Sequence, residues 1–178
     1  MRNKTNLGTV PEDLVPLVKN LMWNLERMTK AGEYVEPVYF IISREQQEIV
    51  PIVTPFESPN MKYAVANMIR KIVKQESPKA DCVIFMCEAW RKEYTKKKEE
   101  EWSAAALDRK TPIADRPGRV DIISIMIETY DGTWVAEPLI TGDPGVPRTL
   151  SDISFERMDF FEGDMCGYLP PKNKTEIN

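Results

Sequence analysis

The chain has 178 residues, with 24 Lys and Arg against 28 Asp and Glu for a formal charge of −4, 42% apolar residues and no histidine. That length and apolar fraction suit one domain with a self-sufficient core and exclude disorder of the whole chain. Zero histidine removes Ser-His-Asp and Cys-His catalysis, the His-Glu-x-x-His zinc site and the imidazole pH switch.

The start, Met1 to Gly8, is basic but carries no apolar run, which argues against a secretory signal. A first helix is expected over 14–31. Leu14, Leu17, Val18, Leu21, Met22, Leu25 and Met28 recur at three- and four-residue spacing, Asp13 suits the N-cap, Pro16 falls in the first turn and Gly32 supplies the stop. Two strands follow, at 38–42 and 48–53, joined by a polar turn. The first is apolar on both faces and belongs inside a sheet, whereas Pro51 sends the second to an edge.

A second helix is expected over 60–76, with Ser58 as N-cap and Pro59 at its first position. Its buried stripe reads Met61, Ala64, Val65, Met68, Ile69, Ile72 and Val73. Apolar runs at 81–90 and 120–130 read as two further central strands. Asp131-Gly132 marks a hairpin into a fifth strand at 133–140, and 153–160 is a candidate sixth. The order is α-β-β-α-β-β-β. That predicts an α+β fold, a mostly antiparallel sheet of five or six strands with two helices on one face or split across two. Profilin-like and roadblock-like domains resemble this arrangement, a likeness of fold that implies no function. One domain is expected over 1–169, with a long insert at 91–119 and a flexible tail at 170–178.

Cys82, Cys87 and Cys166 form no C-x-x-C pair. An odd, sparse set reads as reduced thiols and a cytoplasmic location, and Cys82 and Cys87, five apart on one strand, should face opposite ways. No run of apolar residues is long enough to span a bilayer. Metal sites that need histidine are excluded, three cysteines cannot make a Cys₄ site, and no phosphate-binding glycine loop occurs, so no metal or cofactor is expected.

The insert carries Lys96-Lys97-Lys98-Glu99-Glu100-Glu101 and then Trp102. It reads as a solvated excursion or as a partner-binding arm anchored by Trp102. Its closing turn presents Asp115, Arg116 and Arg119 together; the two arginines suit an anion or, equally, ion pairs with Asp115 and Asp121. Glu88-Ala89-Trp90 at a strand end, followed by Pro112 to Arg119 with its Pro117-Gly118-Arg119 turn, resembles a family of short uncharacterised bacterial, plasmid and phage proteins. The resemblance spans roughly residues 80–140, implies no known activity and suggests a mobile-element origin.

Glu88 and Glu128 are the sharpest carboxylate candidates, each two residues from a strand end. Antiparallel pairing would separate them, so both read as strand-end residues entering solvent. Residues 60–80 hold a local +4 and residues 120–169 a local −8. The basic helix lacks interleaved aromatics, which disfavours nucleic acid, and the acidic half suits a basic protein surface. The expected function is therefore a non-catalytic binding or regulatory protein acting through a protein partner or self-association, with Trp90, Trp102, Asp115, Arg116 and Arg119 as contact candidates. The alternatives are a carboxylate-dependent enzyme, with or without a divalent metal, and a nucleic-acid binder acting through 60–76.

Overall fold

A computed structural model describes residues 4–54, 58–75, 79–92, 119–158 and 166–169. The elements are β1 (Thr5–Asn6), α1 (Val15–Lys30), β2 (Val38–Ser43), β3 (Glu48–Val53), α2 (Pro59–Val73), β4 (Cys82–Lys92), β5 (Arg119–Thr129), β6 (Gly132–Ala136), β7 (Ile140–Thr141), β8 (Thr149–Leu150), β9 (Ile153–Ser154) and β10 (Glu156–Met158). Six strands form one antiparallel sheet in the order β10-β6-β5-β4-β2-β3. The α+β class and the mostly antiparallel sheet are as the sequence predicts. None of the described helices is long and apolar enough to cross a membrane.

The two helices lie on opposite faces of the sheet. Val18, Met22 and Leu25 of α1 pack with Ile84, Met86, Ile123, Ile125 and Trp134 on one side. On the other, Ala66, Ile69 and Val73 of α2 meet Tyr39, Val83, Phe85 and Met126. Side chains alternate along β4 and β5, so each strand feeds both cores, which explains their near-continuous apolar sequences. Cys82 and Cys87 are both free and buried, one in each core.

Pro51 sits where its missing donor does least harm. Thr54 donates its backbone N–H to the Pro37 carbonyl at 2.9 Å. Alternation along the β2–β3 ladder then places Pro51, opposite Phe40, in a non-hydrogen-bonded pair. Its nitrogen points to the open edge, and the gap there interrupts any ladder a further strand would form. This matters because Ile49, Val50 and Val53 are exposed along this edge.

Five expectations need correction. Asp13 does not cap α1; residues Glu12–Leu14 form a 3₁₀ turn, Leu14 occupies the cap without a side-chain bond, and the Asp13 carboxylate accepts from Arg44 at 3.0 Å. The buried face of α2 is rotated from the expected stripe toward Ala66, Ile69 and Val73, leaving Ala64 and Met68 exposed. Ala66 has no side chain beyond Cβ to hold the helix off the sheet, and hydropathy periodicity alone does not locate the centre of a stripe. The β5–β6 turn is Tyr130-Asp131, one residue earlier than expected, with Gly132 already paired to Thr129. The fifth strand stops at Ala136 because Pro138 cannot return a hydrogen bond to Ile123; its carbonyl still accepts from the Ile123 N–H at 3.0 Å, a single bridge between Ile122 and Leu139 keeps the register, and the chain then turns into β7, paired with β8. Finally, Arg91 and Arg119, expected in the insert, belong to β4 and β5.

Ser58 and Pro59 start α2 as expected, with Ser58 Oγ accepting from Met61 N–H at 3.3 Å. Gly32 ends α1 at φ +75°, and the Glu33 N–H closes the helix on the Met28 carbonyl at 3.0 Å. A Cβ on Gly32 would lie 2.5 Å from the Val146 carbonyl oxygen, so glycine also lets the 142–147 loop cross the helix end. The 153–160 segment yields β9, which joins β1 in a parallel pair, and β10 at the sheet edge. Residues 93–118 of the insert and the tail 170–178 lie outside the described residues.

Candidate functional site

The antiparallel register places Glu88 opposite Ile123 and Glu128 opposite Val83. Five ladder positions separate the two glutamates, about 17 Å along the strands, and they project to opposite faces of the sheet. They cannot share a proton or a cation. The structure corrects the picture of two strand ends entering solvent.

Glu88 faces the α1 side and is chelated there. Arg148 donates through Nη1 to Oε2 at 2.9 Å and through Nη2 to Oε1 at 2.6 Å. Val35 adds its N–H to Oε1 at 2.8 Å. The Arg148 side chain is 2% exposed and that of Glu88 13%, so this is a buried bidentate ion pair. Its Nη2 also donates to the Glu33 carbonyl, and the Arg148 N–H to the Thr29 carbonyl at 3.0 Å. The pair therefore ties β4, the end of α1 and the loop before β8 together. The hydrogen bond to Glu88 raises the Arg148 pKa above its ordinary value against the opposing effect of burial. The Tyr34 phenol nearby is raised by burial first and by the Glu88 charge second.

Glu128 is buried on the α2 side, accepting from the N–H groups of Tyr168 at 3.1 Å and Leu169 at 2.8 Å. Tyr168 in turn contacts the Tyr39 hydroxyl at 3.2 Å, and Arg70 lies over its ring at 5.5 Å. Arg70 Nη2 also donates to the Cys166 carbonyl at 2.8 Å. Both carboxylates singled out in the sequence thus serve as fasteners. Burial pushes the Cys82 and Cys87 thiols up to about 12, so neither presents a thiolate near neutral pH.

Of the expected contact residues, Trp102, Asp115 and Arg116 lie outside the described residues. Trp90 and Arg119 come together at the far end of the β4–β5 ribbon. Trp90, 39% exposed, pairs across from Asp121, and Arg119 grips Asp121 Oδ1 through Nη2 at 2.6 Å and Nε at 2.9 Å. Asp121 is one of the two carboxylates that the ion-pair reading of this turn assigns. An exposed pair of this kind contributes about 0–1 kcal/mol.

The opposite face of the same ribbon borders a cleft of about 510 Å³. Arg91 projects there, and its Nη1 holds Glu137 Oε2 at 2.8 Å. The floor is apolar, from Val135, Pro138, Leu139 and Met158, and Asp152 and Glu156 add carboxylates to the rim. The Leu139 N–H bonds Ser151 Oγ at 2.9 Å and the Ser151 N–H returns to the Leu139 carbonyl at 2.9 Å, fixing one wall. Among the described residues, no three carboxylates or thiols converge to ligate a metal ion.

Arg91, Glu137 and Arg148 carry no motif in the sequence. The one signal for Arg148 is its isolation, since only it and Arg157 interrupt the acids between residues 120 and 169. A lone cation in such a stretch has many prospective partners, and spacing does not pick Glu88. Comparisons with models of protein families, with curated proteins and with solved structures find no match.

Proposed function

We propose that this chain is a non-catalytic binding protein that acts through a protein partner, with the cleft beside the Arg91–Glu137 pair receiving a Lys- or Arg-bearing segment of that partner. The observation that carries the reading is the cleft itself. It combines an apolar floor from Val135, Pro138, Leu139 and Met158 with the carboxylates of Glu137, Asp152 and Glu156. A cationic side chain with a long apolar stem fits such a surface, its methylenes on the floor and its charge at the rim. A cleft of this size has room for an anchoring side chain together with its flanking residues, and such anchors are where binding energy concentrates at interfaces. The carboxylate-enzyme alternative is weakened by the internal engagement of Glu88 and Glu128.

The test uses two labelled peptides, one alternating Lys with Leu and one alternating Glu with Leu, read by fluorescence anisotropy. The basic peptide should bind at least tenfold more tightly, lose affinity with added salt, and weaken further with Asp152→Lys plus Glu156→Lys. Equal binding of the two peptides, or an unchanged affinity in the double variant, would overturn the proposal. Sedimentation velocity of the protein alone tests the self-association expected from the sequence; a dimer that forms without peptide and is broken by the same double variant would replace the hetero-partner with a second copy.

A further inference from the structure

We propose that the exposed groove along α1 binds a nucleotide unit, the base stacked on Trp23 and the phosphate held by Lys19 and Arg27. This is a different face from the cleft, and it goes beyond the reading above. Trp23 is 62% exposed, although tryptophan is highly buried on average. The core stripe of Val18, Met22 and Leu25 closes without it, so packing gives no account of an indole at this position.

Its surroundings supply that account. Lys19 and Arg27 stand one turn before and one turn after Trp23 on the same side of the helix, each about 6 Å away along the axis. Thr5, Glu26 and Lys30 also line the groove, and the last two are paired with each other at 3.5 Å. Lys19 and Arg27 have no ion-pair partner among the described residues, and in this Arg27 stands apart. Arg44 is held by Asp13 and Asp81, Arg91 by Glu137, Arg119 by Asp121 and Arg148 by Glu88. Arg70 and Arg157 bond backbone carbonyls and lie over aromatic rings. The chain is acidic overall, yet among the described residues two cations on either side of one exposed indole have no ion-pair partner.

A planar base with an attached phosphate meets both features at once. Every base has a π-face for the indole, and a phosphate accepts charge-assisted hydrogen bonds from both cations. The groove, about 370 Å³ with Met22 at its floor, is near the lower limit of small-ligand sites, which suits one nucleotide better than an extended acidic peptide. A free nucleotide and a unit of single-stranded nucleic acid share this chemistry. The expectation of a nucleic-acid surface on the basic helix 60–76 is not needed for it; in α2, Arg70 is already engaged with Cys166 and Gly167.

The test measures binding of a labelled oligothymidylate by anisotropy and of a nucleoside monophosphate by calorimetry, with polyglutamate as competitor. Trp23→Ala should weaken oligonucleotide binding about tenfold or more, and Trp23→Phe should keep most of it. Lys19→Gln plus Arg27→Gln should flatten the dependence of log affinity on log salt by about 0.7, the value for one phosphate contact. Equal affinity for the free nucleotide would mark a small-ligand site, and tighter binding of the strand would mark a single-strand site; both support the proposal. It is overturned if neither probe binds, if Trp23→Ala binds as the parent does, or if polyglutamate competes as well as unlabelled oligonucleotide. A polyglutamate result of that kind would reassign the groove to an acidic protein segment. Failure here leaves the peptide test of the opposite cleft untouched, since no residue is shared.

Discussion

Glu88 and Arg148 lie 60 residues apart in sequence and meet through two charge-assisted hydrogen bonds of 2.6 and 2.9 Å, the arginine buried and the glutamate largely so. Because Glu88 stands on β4 and Arg148 precedes β8, the pair fixes the C-terminal segment against the sheet and the end of α1. Removing one partner strands the other charge in a buried place, at about 3–5 kcal/mol. Glu88→Gln and Arg148→Met should each lower the unfolding free energy by that order, measured by urea denaturation. The joint variant Glu88→Met plus Arg148→Met should be less damaging than the sum of the two. Strict additivity would mean that the pair is not energetically coupled.

Glu128 predicts a local effect. Its carboxylate accepts the Tyr168 and Leu169 N–H groups, so Glu128→Leu leaves two donors near the core without an acceptor. The cost should be about 1–3 kcal/mol, with Glu128→Gln milder because one amide oxygen remains. Hydrogen exchange should quicken first at residues 166–169 while the β4–β5 ladder stays protected. Uniform quickening across the sheet would contradict the local role.

High pH should unfold the protein. Burial raises the Cys82 and Cys87 thiols from an ordinary value of 9.0 to about 12, and Tyr39 from 10.0 to about 12. Tyr168 is raised as well, by burial and then by its hydrogen bond with Tyr39. Each group is raised in the folded state, so the unfolded chain releases its proton first. The stability these groups contribute is complete below about pH 9 and is lost as pH climbs toward about 12. Each group that is ionised only in the unfolded state steepens the loss by about 1.4 kcal/mol per pH unit. Cys82→Ala plus Cys87→Ala should flatten that slope whatever its effect at neutral pH. Between pH 7 and 8, a thiol reagent should modify half-buried Cys166 well before the other two.

Local chemistry made the elements legible. The i, i+3, i+4 spacing from Leu14 to Met28, the Ser58-Pro59 start and the two-sided apolar runs around Ile84 and Ile125 each state a structure within one segment. Pro51 announced an edge strand for the same reason, since a missing donor is intolerable anywhere else in a sheet. The misreadings also share a cause. Asp13 is a good cap by type, but an arginine more than thirty residues on takes its carboxylate. The buried face of α2 depends on where Tyr39 and Phe85 stand, which no periodicity within the helix reports.

The candidate site was less legible still. Absence of histidine and separation of Glu88 from Glu128 follow from composition and from antiparallel pairing, and both narrow the chemistry open to the chain. The bond of Glu88 to Arg148, the capture of Tyr168 by Glu128 and the exposed setting of Trp23 depend on contacts between distant segments. Side-chain type and spacing therefore determined the elements and the excluded reactions. Tertiary packing alone decided which charges were buried together and which, like Lys19 and Arg27, were left facing water.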